Sequence, residues 1–285
     1  MSELAKRVLV AVVAIPLVVL LVWAGGLPLA LFLALLASLG AWELLRLAEK
    51  TGVHGLLIPG TVTAALMPVA SYALSAGWLL RPAPIGGVLL VAIAALAVFE
   101  RTPEQRPLEA TAVTVFAALY CGAPLAFAFA LRTHQWAIGA AAGSALLLFP
   151  VILTWISDTA AFFVGRAMGK RKLFPAVSPK KTVAGAVGSV VAAAMAAPLY
   201  VEVVLRPAAQ LALSPWASVA FGIVVSVAGQ LGDLTESLYK REAGTKDSSR
   251  LIPGHGGVLD RLDSLYFVLP VAYLMLGRTL LPAPH

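Results

Sequence analysis

The segment from Gly229 to Asp263 carries the side chains best suited to chemistry. It holds eleven of the thirty-five charged residues, although 60% of the chain is hydrophobic. Charged side chains are costly beside hydrocarbon, so an acid-and-base cluster next to apolar helices is a functional-site hypothesis. Carboxylates bind hard divalent cations, and lysine and arginine bind phosphate. The segment therefore predicts a site for a phosphate compound and a divalent cation.

Asp233 lies near the inner end of an apolar stretch with helical spacing. That spacing places Glu236, Ser237 and Lys240 on the same helix face as Asp233. A second interpretation stays open, because ion pairs with Lys240 and Arg241 would merely solvate a helix end. Glycines close to the acid are equally ambiguous, since small residues serve helix packing and also admit a substrate.

The loop from Gly244 to Gly257 has no apolar periodicity and is rich in glycine, serine and charge. Such a loop can wrap a phosphate through backbone N–H groups, although ordinary connecting loops also collect these residues. A lone histidine such as His255 is more often a hydrogen-bonded structural residue than a ligand. The candidate substrate-binding residues in and beside this loop are Lys246, Asp247, His255, Gly256, Gly257 and Arg261.

Asp260 and Asp263 are three residues apart at the start of the last apolar stretch, so they point the same way. One aspartate there would be a helix cap, which is favourable by about 0.3–1 kcal/mol. Two on one face, with Asp233 at the end of an antiparallel neighbour, favour a cation instead. Mg²⁺ typically takes one or two carboxylates together with phosphate oxygens and water.

A second group of candidates precedes the seventh apolar stretch. Asp158 is a further possible metal ligand, or a structural partner for nearby bases. Ser178, Lys180 and Lys181 precede the stretch, and we expect the two lysines at a helix N-terminus, which by itself prefers anions. A bound polyphosphate would account for that placement, as would an anchor onto anionic lipid.

The composition indicates a membrane protein. Only 12% of the residues are charged, the mean hydropathy is +0.90, and a soluble domain is about 25% charged. The net charge of +7 therefore indicates membrane orientation and not nucleic acid binding. Cys121 is the single cysteine, which excludes an intramolecular disulfide and indicates a packing role.

We predict an all-α, polytopic membrane protein with about nine transmembrane helices, each near the ~20 residues needed to cross a bilayer. The predicted spans are 8–24, 27–45, 56–79, 85–99, 110–131, 136–157, 183–205, 215–238 and 261–281. Residues 1–132 are predicted to form scaffold helices and 133–285 the catalytic region, because every Asp lies in the second half.

Loop charges predict the orientation. With the N-terminus in the cytoplasm, seventeen of the twenty-one Lys and Arg residues lie inside, in keeping with the positive-inside rule. The four outside are Arg81, Arg132, Arg206 and Arg278. Nine spans then place the C-terminus outside. They place the charge-rich loops 165–182 and 239–260 on the cytoplasmic face of a bacterial cell membrane.

Taken together, the motifs resemble those of the phosphatidate cytidylyltransferase family, the CDP-diacylglycerol synthases. The matching strings are Ser237-Leu238-Tyr239-Lys240-Arg241, Lys246-Asp247, Pro253-Gly254-His255-Gly256-Gly257, Asp260-Arg261-Leu262-Asp263, Gly229-Gln230-x-Gly232-Asp233-Leu234-x-Glu236-Ser237, Trp155-Ile156-x-Asp158-Thr159-Ala160-Ala161 and Ser178-Pro179-Lys180-Lys181-Thr182. Tyr239 replaces the usual aliphatic residue or Phe. The resemblance covers about 155–185 and 229–264.

The resemblance implies condensation of CTP with phosphatidic acid, giving CDP-diacylglycerol and pyrophosphate, in a chain that is expected to be a homodimer in the membrane. It also implies that Asp233 and Asp260 hold Mg²⁺ with Asp263 close by, and a second cation is compatible with this chemistry. Charge and position assign Lys180, Lys240, Arg241 and Lys246 to phosphates. No general base is needed, because phosphatidate is already an anionic nucleophile.

Three other functions fit less well. A CDP-alcohol phosphatidyltransferase would need an Asp-Gly-x-x-Ala-Arg string, which does not occur here. A CTP-dependent polyprenol or lipid kinase is closer in chemistry and would release CDP in place of pyrophosphate. An ion-coupled transporter predicts acids in the middle of spans, whereas the five aspartates gather towards one face.

Overall fold

The computed structural model describes residues 3–78, 83–252, 254 and 256–283. Most of these residues are helical, which confirms the all-α fold class. The helices are α1 Glu3–Ala24, α2 Gly26–Lys50, α3 Leu57–Ser75, α4 Ala83–Glu100, α5 Pro107–Arg132, α6 Gly139–Met168, α7 Val183–Tyr200, α8 Arg206–Ala209, α9 Pro215–Glu242 and α10 Leu259–Thr279. A 3₁₀ turn, Pro103–Gln105, precedes α5, and a π-helical segment, Val201–Leu205, joins α7 to α8.

Within the described ranges, a helix lies at each of the nine predicted span positions, with α7, the π-helical segment and α8 together forming the seventh. Six helical segments there are long and apolar enough to cross a membrane: Gly26–Lys50, Leu57–Ser75, Pro107–Arg132, Gly139–Met168, Val183–Ala209 and Pro215–Glu242. The chain is therefore a polytopic membrane protein, and the count of nine crossings stays a prediction.

Among the described residues, two short antiparallel ribbons accompany the helices. Strand β1, Lys172–Phe174, pairs with β2, Ser178–Thr182, and β3, Leu211–Ala212, pairs with β4, Leu281–Pro282. The first ribbon corrects one expectation, because Lys180 and Lys181 lie on a strand and α7 begins only at Val183. Proline at position 179 disfavours helix before it, and the Thr182 side chain caps α7 by accepting a hydrogen bond from Gly185 N.

The chain forms two compact units. The first consists of Met1–Ala130 and Tyr239–Leu262, and the second of Leu131–Leu238 and Asp263–His285. The loop after α9 therefore belongs with the N-terminal helices, far from it in sequence. The functional division predicted at residue 132 stays a prediction.

Close packing of α2 and α3 gives the first unit its core. Gly60 on α3 lies against the Leu45 side chain of α2, and a Cβ at Gly60 would come within 2.8 Å of a Leu45 methyl carbon. The Thr114 hydroxyl of α5 accepts a hydrogen bond from Leu56 N at 2.7 Å, just before α3 begins. These contacts fix α2, which carries a buried glutamate described below.

The second unit is built on α6, α7 and α9. The Phe149 ring stacks on Tyr200 and on Phe221, with centroid separations of 4.5 and 4.6 Å. The Tyr200 hydroxyl donates to Ala145 O at 2.8 Å, so its polar end is satisfied in the core. This aromatic stack joins the three helices that line the cavity of this unit.

Candidate active site

A cavity of about 570 Å³ opens in the second unit among α6, the β1–β2 ribbon, α7 and α9. A volume of this size is typical of small-ligand sites. Four bases and two acids are among its lining residues, namely Arg166, Lys172, Lys180, Lys181, Asp158 and Asp233. The formal charge of these six side chains is positive, so the cavity suits a polyanion.

Helix geometry and close packing position these side chains. Asp158, Phe162 and Arg166 recur at intervals of four on α6 and line the cavity from one face. A Cβ at Gly185 of α7 would lie 2.7 Å from Ala161 O of α6, so the two backbones approach as closely as glycine permits. Gly185 is therefore required for packing beneath the cavity.

Asp233 forms an ion pair with Lys181 and not with the bases on its own helix. Lys181 Nζ lies 2.5 Å from Asp233 Oδ2, and Ser237 Oγ lies 3.3 Å from Asp233 Oδ1. Asp158 interacts electrostatically with both members of this pair. The Asp233 side chain is 34% exposed, so it can also reach a ligand in the cavity.

Polar contacts hold α9 behind the cavity. Gln230 Nε2 donates to Ser189 Oγ at 2.9 Å, and Ser226 Oγ lies 2.8 Å from Ser157 Oγ. A Cβ at Gly232 would lie 2.4 Å from Asp263 O of α10. Of the two roles open for Gly232, the structure shows helix packing, and these contacts fix the helix that presents Asp233.

In the first unit, the Asp260 carboxylate is surrounded by donors. Lys240 Nζ donates to Oδ1 at 2.7 Å, while Ser248 N, Ser248 Oγ and Gly257 N donate to Oδ2 at 2.8–2.9 Å. Burial raises the pKa of Asp260, but the hydrogen bonds from Lys240, Gly257 and Ser248 and the Lys240 charge outweigh it, so the net pKa is lowered. Asp260 is therefore held ionised by protein groups.

The two main candidate metal ligands thus differ. Asp158 and Asp233 present oxygen ligands to one cavity, and one or two carboxylates with phosphate oxygens suit Mg²⁺. Asp260 already has Lys240 as its counter-charge. Across the part of the chain that the structure describes, no group of three or more His, Cys, Asp or Glu side chains could hold a metal ion. A cation shared by Asp233 and Asp260 stays a prediction.

The remaining predicted residues lie in several environments. Arg241 donates to Thr245 O at 3.1 Å, and Asp263 accepts from Ser264 N at 2.6 Å. Gly256 has φ +83°, a conformation that favours glycine. Arg241, Lys246, Asp247 and Arg261 are exposed, as are Asp158 and Lys180 at the cavity. His255 lies outside the described residues, and Ser178 is half-buried on β2.

Sequence reasoning missed three residues in these regions. Arg166 had a usable signal, because it is eight residues after Asp158 on the same helical face. Lys172 enters the cavity through the register of the ribbon, which the sequence did not reveal. Glu43 is in the half predicted to be scaffold, yet it is fully buried and accepts hydrogen bonds from the loop after α9.

Comparison with known proteins adds independent evidence. The model of the cytidylyltransferase family matches residues 5–278. A Staphylococcus epidermidis protein named phosphatidate cytidylyltransferase is 32% identical over 273 residues, which cover 96% of this chain and 99% of the relative. Proteins of the same name from Staphylococcus saprophyticus and Staphylococcus aureus are 32% and 29% identical over 270 residues, which cover 95% of this chain and 98% of each relative.

Proposed function

The chain belongs to the cytidylyltransferase family, and we propose that the cavity of its second unit receives the triphosphate of CTP. The enzyme condenses CTP with phosphatidic acid, giving CDP-diacylglycerol and pyrophosphate for phospholipid synthesis. The observation that carries the proposed substrate site is the set of four bases around one cavity of about 570 Å³. Bases in a partly enclosed site bind phosphate oxygens through charge-assisted hydrogen bonds.

The reaction brings together two anions. An oxygen of the phosphatidate phosphate attacks the α-phosphorus of CTP, and the bond from that phosphorus to the β-phosphate oxygen breaks, so pyrophosphate leaves with the electron pair. Because both reactants are negative, catalysis requires charge neutralisation and in-line positioning. Lys180 and Lys181 are the bases that we assign to the triphosphate, with Arg166 and Lys172 beside them.

The carboxylates of the cavity fit a divalent ion. We assign Asp233 and Asp158 to Mg²⁺, and when bound the ion would neutralise charge on the triphosphate. Lys181 already pairs with Asp233, so this lysine can hold the carboxylate before substrate arrives. Asp260 and Asp263 stay candidates for a metal role, although Asp260 would have to exchange Lys240 for an ion.

The charge of the loops supports a cytoplasmic site. The segments 165–182 and 239–260 contain most of the exposed bases of the second half, and the positive-inside rule favours a cytoplasmic position for such segments. CTP is a cytosolic nucleotide, whereas phosphatidate stays in the leaflet, so an interfacial site serves both. We propose an N-terminus inside, a C-terminus outside and a homodimer, which site-specific labelling from each side and cross-linking in membranes will test.

The decisive assay uses purified protein in detergent with phosphatidate, Mg²⁺ and two CTP samples labelled at the α- or the γ-phosphate. We expect α-label in the lipid and γ-label in released pyrophosphate, both only when phosphatidate is present. Transfer of γ-label alone to lipid would identify a CTP-dependent lipid kinase and would contradict the proposal. Omission of phosphatidate is the control for simple CTP hydrolysis.

A further inference from the structure

Glu43 is a fully buried acid in the apolar helix α2. Four donor atoms lie within hydrogen-bond distance of its carboxylate, all from residues more than two hundred positions away in sequence. Ser249 Oγ and Val258 N donate to Oε1 at 2.6 and 3.0 Å, and Ser248 Oγ and Leu259 N donate to Oε2 at 2.9 and 2.7 Å. A buried charge is costly unless it is paired or hydrogen-bonded, so these contacts allow the acid to remain there.

The donors fall into two groups. The serine hydroxyls belong to the loop after α9, while Val258 N and Leu259 N are amides at the N-terminus of α10. The first amides of a helix have no partner within it, and a carboxylate there is favourable. The two Glu43 oxygens therefore cap α10 and also hold the loop after α9 in place through Ser248 and Ser249.

Glu43 is also linked to Asp260 through shared neighbours. Ser248 Oγ lies 2.9 Å from Glu43 Oε2 and 2.8 Å from Asp260 Oδ2, and its single proton is donated to one of them at a time. Gly257 lies against the same atoms, because a Cβ there would lie 2.0 Å from Ser248 Oγ and 2.4 Å from Glu43 Oε2. A shift of the Glu43 side chain would therefore also displace Ser248 and Gly257, which donate hydrogen bonds to the Asp260 carboxylate.

We propose that Glu43 is a positioning residue for the transfer reaction. It fixes Ser248 and Ser249 at one end of the loop and Val258 and Leu259 at the other, so that Asp260 is arranged before substrate binds. This rests on the proposed function, because the reaction needs in-line positioning of two anions. The N-terminal half thus contributes directly to the order of the site region.

Glu43→Gln is the sharpest test, because the side chain keeps its shape. One oxygen becomes an NH₂ donor, so at least one amide, Val258 N or Leu259 N, loses its acceptor. Leaving a buried donor unsatisfied predicts a fall in kcat of about ten- to a hundredfold, with a KM for CTP changed less than threefold. Glu49→Gln, on the same helix and paired with Arg46 near the surface, is the matched control and should keep wild-type kcat.

Hydrogen exchange supplies a readout that does not depend on activity. The amides of Ser248, Gly257, Val258 and Leu259 should exchange at least tenfold faster in Glu43→Gln, while α2 and the remainder of α10 keep wild-type rates. Unchanged rates at Val258 and Leu259, or faster exchange spread over the whole first unit, would overturn the positioning role. If the wild-type protein transfers no CMP to lipid, the proposed function is overturned. The exchange comparison would still show whether Glu43 fixes this segment.

Ser249→Ala keeps the proposal falsifiable if Glu43→Gln is not recovered folded. It removes one donor to Glu43 Oε1, so we expect a smaller fall in kcat, about threefold to tenfold, and faster exchange in the same segment. Where both variants fold, the double variant should lose less kcat than the product of the two single fold-changes, because both substitutions break the same contact. Fully multiplicative effects, or a Ser249→Ala variant with wild-type kcat and exchange, would contradict the proposal.

Discussion

The loop after α9 and the cavity of the second unit use carboxylates in opposite ways. Each oxygen of Asp260 and Glu43 accepts at least one hydrogen bond from the protein, and the Asp260 side chain is only 5% exposed. Asp233 has one ion pair and one long hydrogen bond, and its side chain is 34% exposed. The carboxylates of the first region are thus satisfied by protein donors before any ligand binds, whereas Asp233 can still bind a ligand.

Structural acids and ligand-binding acids can be distinguished by the number of protein donors that contact their oxygens. A carboxylate saturated by protein donors stabilises its surroundings, since removing a partner leaves an uncompensated group. A carboxylate that is partly exposed and paired with a partly exposed lysine contributes little to stability and can change partners. Substitutions in the two regions should therefore fail in different ways.

The largest effect on activity is expected for Asp233→Asn. Loss of the charge removes the ligand that we propose for Mg²⁺ and the partner of Lys181, so kcat should fall by about 10²–10³-fold. Thermal unfolding in detergent should stay within a few degrees of wild type. Glu242→Gln, an exposed acid on the same helix, is the control, and a near-wild-type rate for Asp233→Asn would remove this residue from the metal site.

Lys240→Met should chiefly reduce stability. Asp260 would lose its counter-charge in a buried position, which costs about 3 kcal/mol. The pKa of Asp260 in the folded protein lies below the ordinary value of an aspartate. The ion pair therefore stabilises the protein above that ordinary value, and the gain is lost as pH falls through the lowered pKa. Denaturation from pH 7 to pH 3 should therefore show the variant and wild type converging at low pH. A constant difference across this range would contradict the assignment.

Lys181→Ala tests the cavity as a site for triphosphate. Losing one charge-assisted contact should raise the KM for CTP by about tenfold or more, with the KM for phosphatidate unchanged. Stability should change little, because both members of its ion pair are partly exposed. Lys170→Ala removes an exposed base that does not line the cavity, and an equal rise in KM in that variant would indicate a general charge effect.

The smallest effect is expected for Cys121→Ala. Cys121 is buried in α5, where a cysteine behaves as a small hydrophobic residue. Activity should stay within about twofold of wild type, with a modest loss of stability from the reduced packing. Inactivation without unfolding would show that the thiol has a chemical role.

The helices were predictable because their signal is local. Long apolar runs predicted helices at the right positions, and the short motifs pointed to Asp158, Lys181 and Asp233, which line one cavity. The β1–β2 ribbon was not predicted, because three to five residues of strand give no periodicity among flanking helices. Pro179 was the available local signal for extended backbone there.

Glu43 could not be identified from spacing. Its donors lie more than two hundred residues away, and the sequence places it among leucines in an apolar helix. The sequence shows only that an acid lies in an apolar stretch, where it is unfavourable without polar or charged partners. The pairing of Asp260 with Lys240 was also hidden, because the two residues are twenty positions apart and their motifs predict a phosphate ligand and a metal ligand.

Hydrogen exchange of wild-type protein, with and without CTP and Mg²⁺, tests the contrast between the two regions most directly. Without ligand, the amides of Ser248, Gly257, Val258 and Leu259 should already be protected, because each donates to a buried carboxylate. Addition of CTP and Mg²⁺ should slow exchange in the β1–β2 ribbon around Lys180. A loop that becomes protected only with CTP, together with a ribbon that does not respond, would contradict the account.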